Sequence, residues 1–165
     1  MNEERGKRAA WADGLAVKSC MVPITPGMRV EPLEGHPALP DVAGGVEVPF
    51  ALGLDGHSDA DVLIHAICDS LLGAMGERDI GHHFPDTDPA YKDIDSMKLL
   101  SATYGMVIQK GLKLVNIDAT IFAQAPRMAP YRDRMIQNIS EALGLSEDRI
   151  NIKATTTEGL GLIGQ

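Results

Sequence analysis

Aromatic side chains are scarce in this 165-residue chain: three Phe, three Tyr and one Trp, 4% in all. The core must therefore be aliphatic and methionine-rich, and the scarcity argues against stacking platforms for single-stranded nucleic acid. Cysteine is scarce too. Cys20 and Cys68 form neither a disulfide framework nor a C-x-x-C pair, and Cys68 in its apolar stretch reads as a buried, reduced thiol. Positive charge is in deficit, with 15 Lys plus Arg against 23 Asp plus Glu and a net charge of −8. That balance argues against binding a nucleic-acid backbone. A phosphate-bearing ligand would have to be met by helix N-termini, metals or a few local cations. No apolar run approaches the length of about eighteen residues expected of a membrane helix. The opening MNEERGKRAAWADG leads into no apolar segment of a secretory signal. The expectation is a cytoplasmic protein with neither nucleic acid nor membrane as partner. Nucleophile elbow, Walker loop, dinucleotide fingerprint and Cys–His pair are also missing, so an enzyme here would position phosphates with metals rather than form a covalent intermediate.

What is present has the size and composition of one domain, 44% hydrophobic and 23% charged. Residues 1–43 read as irregular and possibly non-native. Pro23, Pro26, Pro32, Pro37 and Pro40, with Pro49 just beyond, are six of the ten prolines, and no periodicity is sustained there. From Gly44 onward the pattern sharpens. GVEVPF alternates as a short strand ending at Pro49. Ser58 followed three residues later by Asp61 resembles a capping box that opens a buried helix, DVLIHAICDSLLGAMG. After the polar stretch GERDIGHHFPDTDPAYKDID, SMKLLSATYGMVIQKG reads as an amphipathic helix stopped by Gly111. LKLVNIDATIFA is a strand, YRDRMIQNISEALG a helix closed by Gly144, and RINIKATTT a last strand. The order predicts an α+β fold, a small β-sheet with helices packed on one face and β-α-β repeats.

Three regions can carry chemistry. In a helix opening at Ser58, Asp61, His65 and Asp69 share one stripe, with His57 just ahead of it. A lone helical histidine is ordinarily solvated or satisfied by a neighbour. Interleaving with carboxylates favours instead a divalent cation or a phosphate at the helix N-terminus. In GERDIGHHFPDTDPAY, Asp79, His82, His83, Asp86 and Asp88 fit either Asx turns capping the next helix or a loop offering acceptors to a polyhydroxylated ligand. A calcium loop fails there, because the required glycine and distal Glu do not follow. Finally, AQAPRMAP leaves one strand with Arg127 as its cation, and KATTTEG leaves another with three hydroxyls and Glu158. Threonines are ordinary strand residues, yet this set can also hold phosphate oxygens and magnesium.

GHSDADVLIHAICDSLLGA, GERDIGHHFPDTDPAYKDIDS, NIDATIFAQAPRMAPY and INIKATTTEGLG, in that order, closely resemble the 2-C-methyl-D-erythritol 2,4-cyclodiphosphate synthases of non-mevalonate isoprenoid biosynthesis. The resemblance runs from about Gly44 to Gln165. It implies a trimer-forming α+β subunit with active sites between neighbours. It also implies a cytidine diphosphate ester as substrate, cyclised with release of CMP, and two divalent metals. By position, His65 matches a zinc-type ligand, and His57 with Ser58 matches the pair facing the substrate phosphate. Asp79, Ile80 and Gly81, with Phe84, Pro85, Asp86, Thr87 and Asp88, match the loops around the erythritol moiety. Ala123, Gln124, Ala125, Pro126, Arg127, Met128 and Ala129 match the cytidine pocket. Thr155, Thr156 and Thr157 match the hydroxyls near the nucleotide phosphates, with Leu162 beyond them in the substrate site. The resemblance implies that His57 and Thr156 are catalytic, Thr156 helping to stabilise the transition state, and Glu158 matches the magnesium-type carboxylate.

The family's opening strand carries an Asp-x-His pair that supplies the other zinc ligands. If Arg29 follows that pair, Pro26 and Met28 stand at the ligand positions, and neither suits zinc. Glu34-Gly35-His36 is the other candidate. The family also continues past Gln165 into a further strand, so 44–165 reads as the synthase domain without it. Alternatives are a homologue that binds cytidine nucleotides without turnover, or an unrelated metal-dependent phosphohydrolase on a similar sheet.

Overall fold

Alternating apolar residues in LVNIDATIF and INIKAT put Ile117, Ala119 and Ile121 on the same face as Ile150 and Ile152, and all five are buried. That apolar face organises the rest. The computed structural model describes residues 15–23, 41–48, 61–123, 126–156 and 158. In chain order these form β1 (Leu15–Pro23), β2 (Asp41–Ala43), β3 (Val46–Val48), α1 (Val62–Ala74), a short α2 (Ile80–His83), α3 (Ser96–Gln109), β4 (Leu114–Phe122), α4 (Arg132–Leu143) and β5 (Ile150–Thr155).

β1, β4 and β5 make a three-stranded sheet in that order, parallel throughout. α4 is the crossover between β4 and β5, as parallel neighbours require. α1 and α4 pack on the sheet, and α3 packs on both helices. Leu63, Ile64, Ile67, Leu71, Leu100 and Met135 are at most 1% exposed. The opposite face of β4 and β5 carries Asp118 beside Asn151, Thr120 beside Lys153, and Phe122 beside Thr155. These six are half-buried or exposed. Helices thus cover one face, as the α+β reading predicts.

Two strands fall in the stretch read as irregular. β1 pairs with β4, with register shifts after Leu15 and Val17, and β2 pairs antiparallel with β3. β1 is set by its distant partner β4, and β2 is only three residues long and set by the hairpin turn into β3, so sustained periodicity misses both. The β2–β3 hairpin turns at Gly44 and Gly45, at φ +58° and +67°. Two successive left-handed residues are what a two-residue type I′ turn needs, and glycine adopts them without a Cβ clash.

α1 opens three residues later than the Ser58 box predicts, and Ser58 itself lies outside the described residues. The cap is Asp61, whose Oδ1 accepts from the Ile64 N–H at 3.0 Å. Its Oδ2 accepts from the Gly45 N–H at 2.8 Å, tying the hairpin turn to the helix start. From the other side, Asn138 Nδ2 on α4 donates to the carbonyls of Gly44 at 3.1 Å and Gly45 at 3.0 Å. A Cβ on Gly44 would lie 2.7 Å from Met135 Cβ, so glycine also permits this close approach. α3 and α4 end where the sequence expects, with Gly111 at φ +70° and Gly144 at φ +60°.

Candidate active site

Phe122 pairs with Thr155 at the carboxyl ends of β4 and β5, and Ala123 N–H donates to Thr155 O at 3.0 Å. This pairing sets the chain leaving β4 at Ala123 beside the chain leaving β5 at Thr155. Parallel sheets present ligand crevices at these strand ends, where chain leaves the ladder and can offer backbone groups. Ala123 and Met128 are buried at 7% exposure and anchor the first segment, while Arg127 and Ala129 are exposed and Pro126 half-buried. Arg127 is therefore a cation held on an anchored loop. In the second segment Thr155 Oγ1 donates to Thr156 O at 3.2 Å. Thr156 Oγ1 donates to Glu158 Oε1 at 2.5 Å, and Glu158 stands at φ +54°. The hydroxyl and the carboxylate thus turn towards each other across a tight bend. Gln124, Ala125, Thr157 and Leu162 lie outside the described residues, as do His57, Pro26, Met28, Arg29, Glu34 and His36.

His65, half-buried on the first turn of α1, faces Ser96 of α3, with Ser96 Oγ 3.0 Å from Nε2. The shared stripe of Asp61, His65 and Asp69 is not a ligand cluster. Asp61 is wholly buried and serves as cap and hairpin anchor, and Asp69 Oδ1 accepts from Ile80 N–H at 2.7 Å. Among the described residues no three His, Cys, Asp or Glu side chains gather closely enough to hold a metal ion. Of the two residues matched to metal ligands, His65 offers a half-buried imidazole and Glu158, separately, an exposed carboxylate beside the Thr156 hydroxyl. An imidazole suits a zinc-type ion, and a carboxylate oxygen suits a magnesium-type ion. Each fits as a single ligand of its ion.

The 76–95 stretch is less irregular than it reads. Asp79 Oδ1 accepts from His82 N–H at 2.9 Å and caps α2, and Asp88 Oδ1 accepts from Ala90 N–H at 2.9 Å. These are the Asx turns allowed by the sequence, although Asp95 rather than either of them caps α3. Ile80, Phe84 and Pro85 are half-buried, while Gly81, Asp86 and Thr87 are exposed. Phe84 meets Tyr91 edge to face at 5.4 Å between ring centres, which stiffens the loop base. Lys110 pairs with Glu77 beside this stretch and, as hydrogen-bond donor and neighbouring charge, holds the Glu77 carboxyl below the ordinary range.

Sequence reasoning did not single out Ser96. The only signal was a serine directly after the acidic cap in KDIDS, and nothing local places it against His65. Asp61, which the sequence places in the capping box as well as on the His65 stripe, is itself the cap of α1.

Comparison with known proteins bears on the whole assembly. The YgbB family profile matches residues 27–165. A 2-C-methyl-D-erythritol 2,4-cyclodiphosphate synthase of Desulfatibacillum aliphaticivorans is 57% identical over 76% of this chain and 81% of its own length. The synthase of the same name from Bacillus subtilis is 53% identical over 88% of this chain and 90% of its own. Among solved structures, the CDP complex of Plasmodium falciparum IspF superposes with a TM-score of 0.65 at 36% identity, covering 76% of this chain and 74% of that one. The bifunctional IspDF of Campylobacter jejuni superposes with a TM-score of 0.71 at 46% identity, and this chain covers 34% of it. The four motifs in register, the parallel sheet whose strand ends join two of them, and these matches place the chain in the YgbB family, that of the 2-C-methyl-D-erythritol 2,4-cyclodiphosphate synthases.

Proposed function

We propose that this chain converts 4-diphosphocytidyl-2-C-methyl-D-erythritol 2-phosphate to 2-C-methyl-D-erythritol 2,4-cyclodiphosphate with release of CMP. The observation that carries this reading is the Phe122–Thr155 pair, which sets the chain leaving β4 beside the chain leaving β5. It supports a nucleotide site walled by two loops, with Arg127 on one and Thr156 and Glu158 on the other. In the reaction an oxygen of the 2-phosphate forms a bond to the β-phosphorus. The bond from that phosphorus to the bridging oxygen breaks, and CMP leaves with the electron pair. Charge builds on phosphoryl oxygens throughout, so donors placed near them lower the barrier.

Thr156 and Thr155 would donate to nucleotide phosphate oxygens, Thr156 in the transition state. Backbone of 123–129, including Gln124 and Ala125, would enclose the cytidine, with Thr157 and Leu162 completing that side. Arg127 would meet phosphate, His57 and Ser58 would face the substrate phosphate, and 79–81 with 84–88 would cradle the erythritol. His65 would hold a zinc-type ion and Glu158 a magnesium-type ion, which when bound supply Lewis acidity to the diphosphate. The mostly polar face that β4 and β5 turn away from the helices, half-buried to exposed among the described residues, supports a homotrimer with sites between subunits. Among the described residues no helix is long and apolar enough to cross a membrane, and the reading places the enzyme in the cytoplasm.

The test is incubation of the purified chain with substrate, Zn²⁺ and Mg²⁺, followed by ³¹P NMR. Appearance of a cyclic diphosphate with stoichiometric CMP is expected. Tight CMP binding with no product would reduce the chain to a nucleotide binder, and formation of inorganic phosphate would make it a phosphohydrolase.

A further inference from the structure

Ser96 is the first residue of α3 and 0% exposed, an unusual burial for a hydroxyl at a helix start. Helix capping does not explain it. The cap is Asp95, whose Oδ1 accepts from Met97 N–H at 2.9 Å. The Ser96 hydroxyl is instead turned towards α1, where His65 Nε2 lies 3.0 Å away, 31 residues distant in sequence. α1 and α3 pack directly together, so this contact is held by two rigid elements rather than by a loop.

An imidazole that ligates a cation is neutral, with a lone pair on one ring nitrogen. The N–H of the other goes to an oxygen that fixes both tautomer and ring plane. A serine does this without adding charge. A carboxylate there would favour imidazolium and place a further negative charge where an anionic diphosphate must enter. Resting on the metal-binding role proposed for His65, we infer that Ser96 is a positioning residue. Its Oγ accepts the Nε2–H of His65 and commits the ring to the tautomer whose lone pair is on Nδ1, the nitrogen offered to a divalent cation.

The test uses the full chain, ¹⁵N-labelled and metal-free, with the His65 ring nitrogens read by long-range ¹H–¹⁵N correlation and assigned with His65→Gln. The expected result is a pyrrole-like Nε2 and a pyridine-like Nδ1. In Ser96→Ala, checked for native fold by circular dichroism, the two tautomers should mix. Zn²⁺ affinity by calorimetry should fall about 10–100-fold, the usual effect of removing such a partner, and Ser96→Thr should restore both. A pyrrole-like Nδ1 in the unsubstituted chain overturns the assignment, and it does so whether or not Ser96→Ala folds. So does a folded Ser96→Ala with unchanged tautomer and unchanged Zn²⁺ affinity. If Zn²⁺ leaves the His65 ring signals of the unsubstituted chain unmoved, the metal role of His65 itself fails and takes this inference with it. A failure confined to Ser96→Ala leaves that role standing.

Discussion

Replacing Asp61 with alanine should cost more than a surface cap normally does. The carboxylate is wholly buried and joins two elements, accepting from Ile64 N–H at the start of α1 and from Gly45 N–H in the hairpin turn. Loss of an N-cap side chain costs about 1 kcal/mol, within a range of about 0.5–2. Loss of a hydrogen bond to a charged acceptor costs about 1.5–3 kcal/mol. Gly45 is exposed, so water recovers part of the second term, and removing a buried charge relieves some desolvation. The net expectation is a destabilisation of about 2–3 kcal/mol, or about 4–12 °C in Tm for a chain of this length. Asp61→Asn keeps one acceptor oxygen and should lose roughly half as much. Urea unfolding followed by far-UV circular dichroism, at fixed protein concentration, measures this. Amide hydrogen exchange should quicken at Gly45 and Ile64 together. An alanine variant within about 0.5 kcal/mol of the parent, a cap loss at its weakest, would refute the anchoring argument. So would an Asn variant less stable than the Ala variant.

Gly44→Ala should destabilise by roughly 2–4 kcal/mol, because it combines a left-handed residue with a Cβ 2.7 Å from Met135 Cβ; a stability unchanged in the same urea assay would show that α4 can move aside. Burial pushes the Cys68 thiol from its ordinary 9.0 up to about 12. The folded protein then keeps a proton that the unfolded chain loses. Stability is complete below pH 9 and falls between pH 9 and about 12, by at most ~1.4 kcal/mol per pH unit, and Cys68→Ala should flatten that alkaline slope in pH-dependent unfolding. Arg127→Ala should weaken CMP binding by roughly 1–3 kcal/mol in calorimetry, as for a lost charge-assisted contact, with Tm unchanged because the side chain is exposed. Asp118, held below the ordinary carboxyl range by hydrogen bonds from Lys153 and Asn151, adds stability that is present above the unfolded carboxyl pKa and lost as pH falls through the folded one. Asp118 is half-buried and its Lys153 partner exposed, so Asp118→Asn should change stability by no more than about 1 kcal/mol.

Wherever burial follows a local period, the sequence by itself determined the element. α1, α3 and α4 repeat apolar residues at helical spacing, β4 and β5 alternate, and Gly111 and Gly144 stand in left-handed conformations just past the ends of their helices. The motifs at 57–69, 79–88, 123–129 and 155–158 likewise carried the family resemblance. What only the tertiary structure decided are pairings between distant residues. β1 is a strand because β4 offers it a parallel edge, and its own proline-rich surroundings hide that. Asp61 and Asp69 look like metal ligands on a helical wheel, yet they are taken by the amides of Gly45, Ile64 and Ile80. Ser96 looks like an ordinary helix-start serine until α3 packs on α1 and sets it against His65. Periodicity reports that a side chain is buried. Which atom waits for it inside is a property of how the helices and the sheet pack, and no window along the chain contains it.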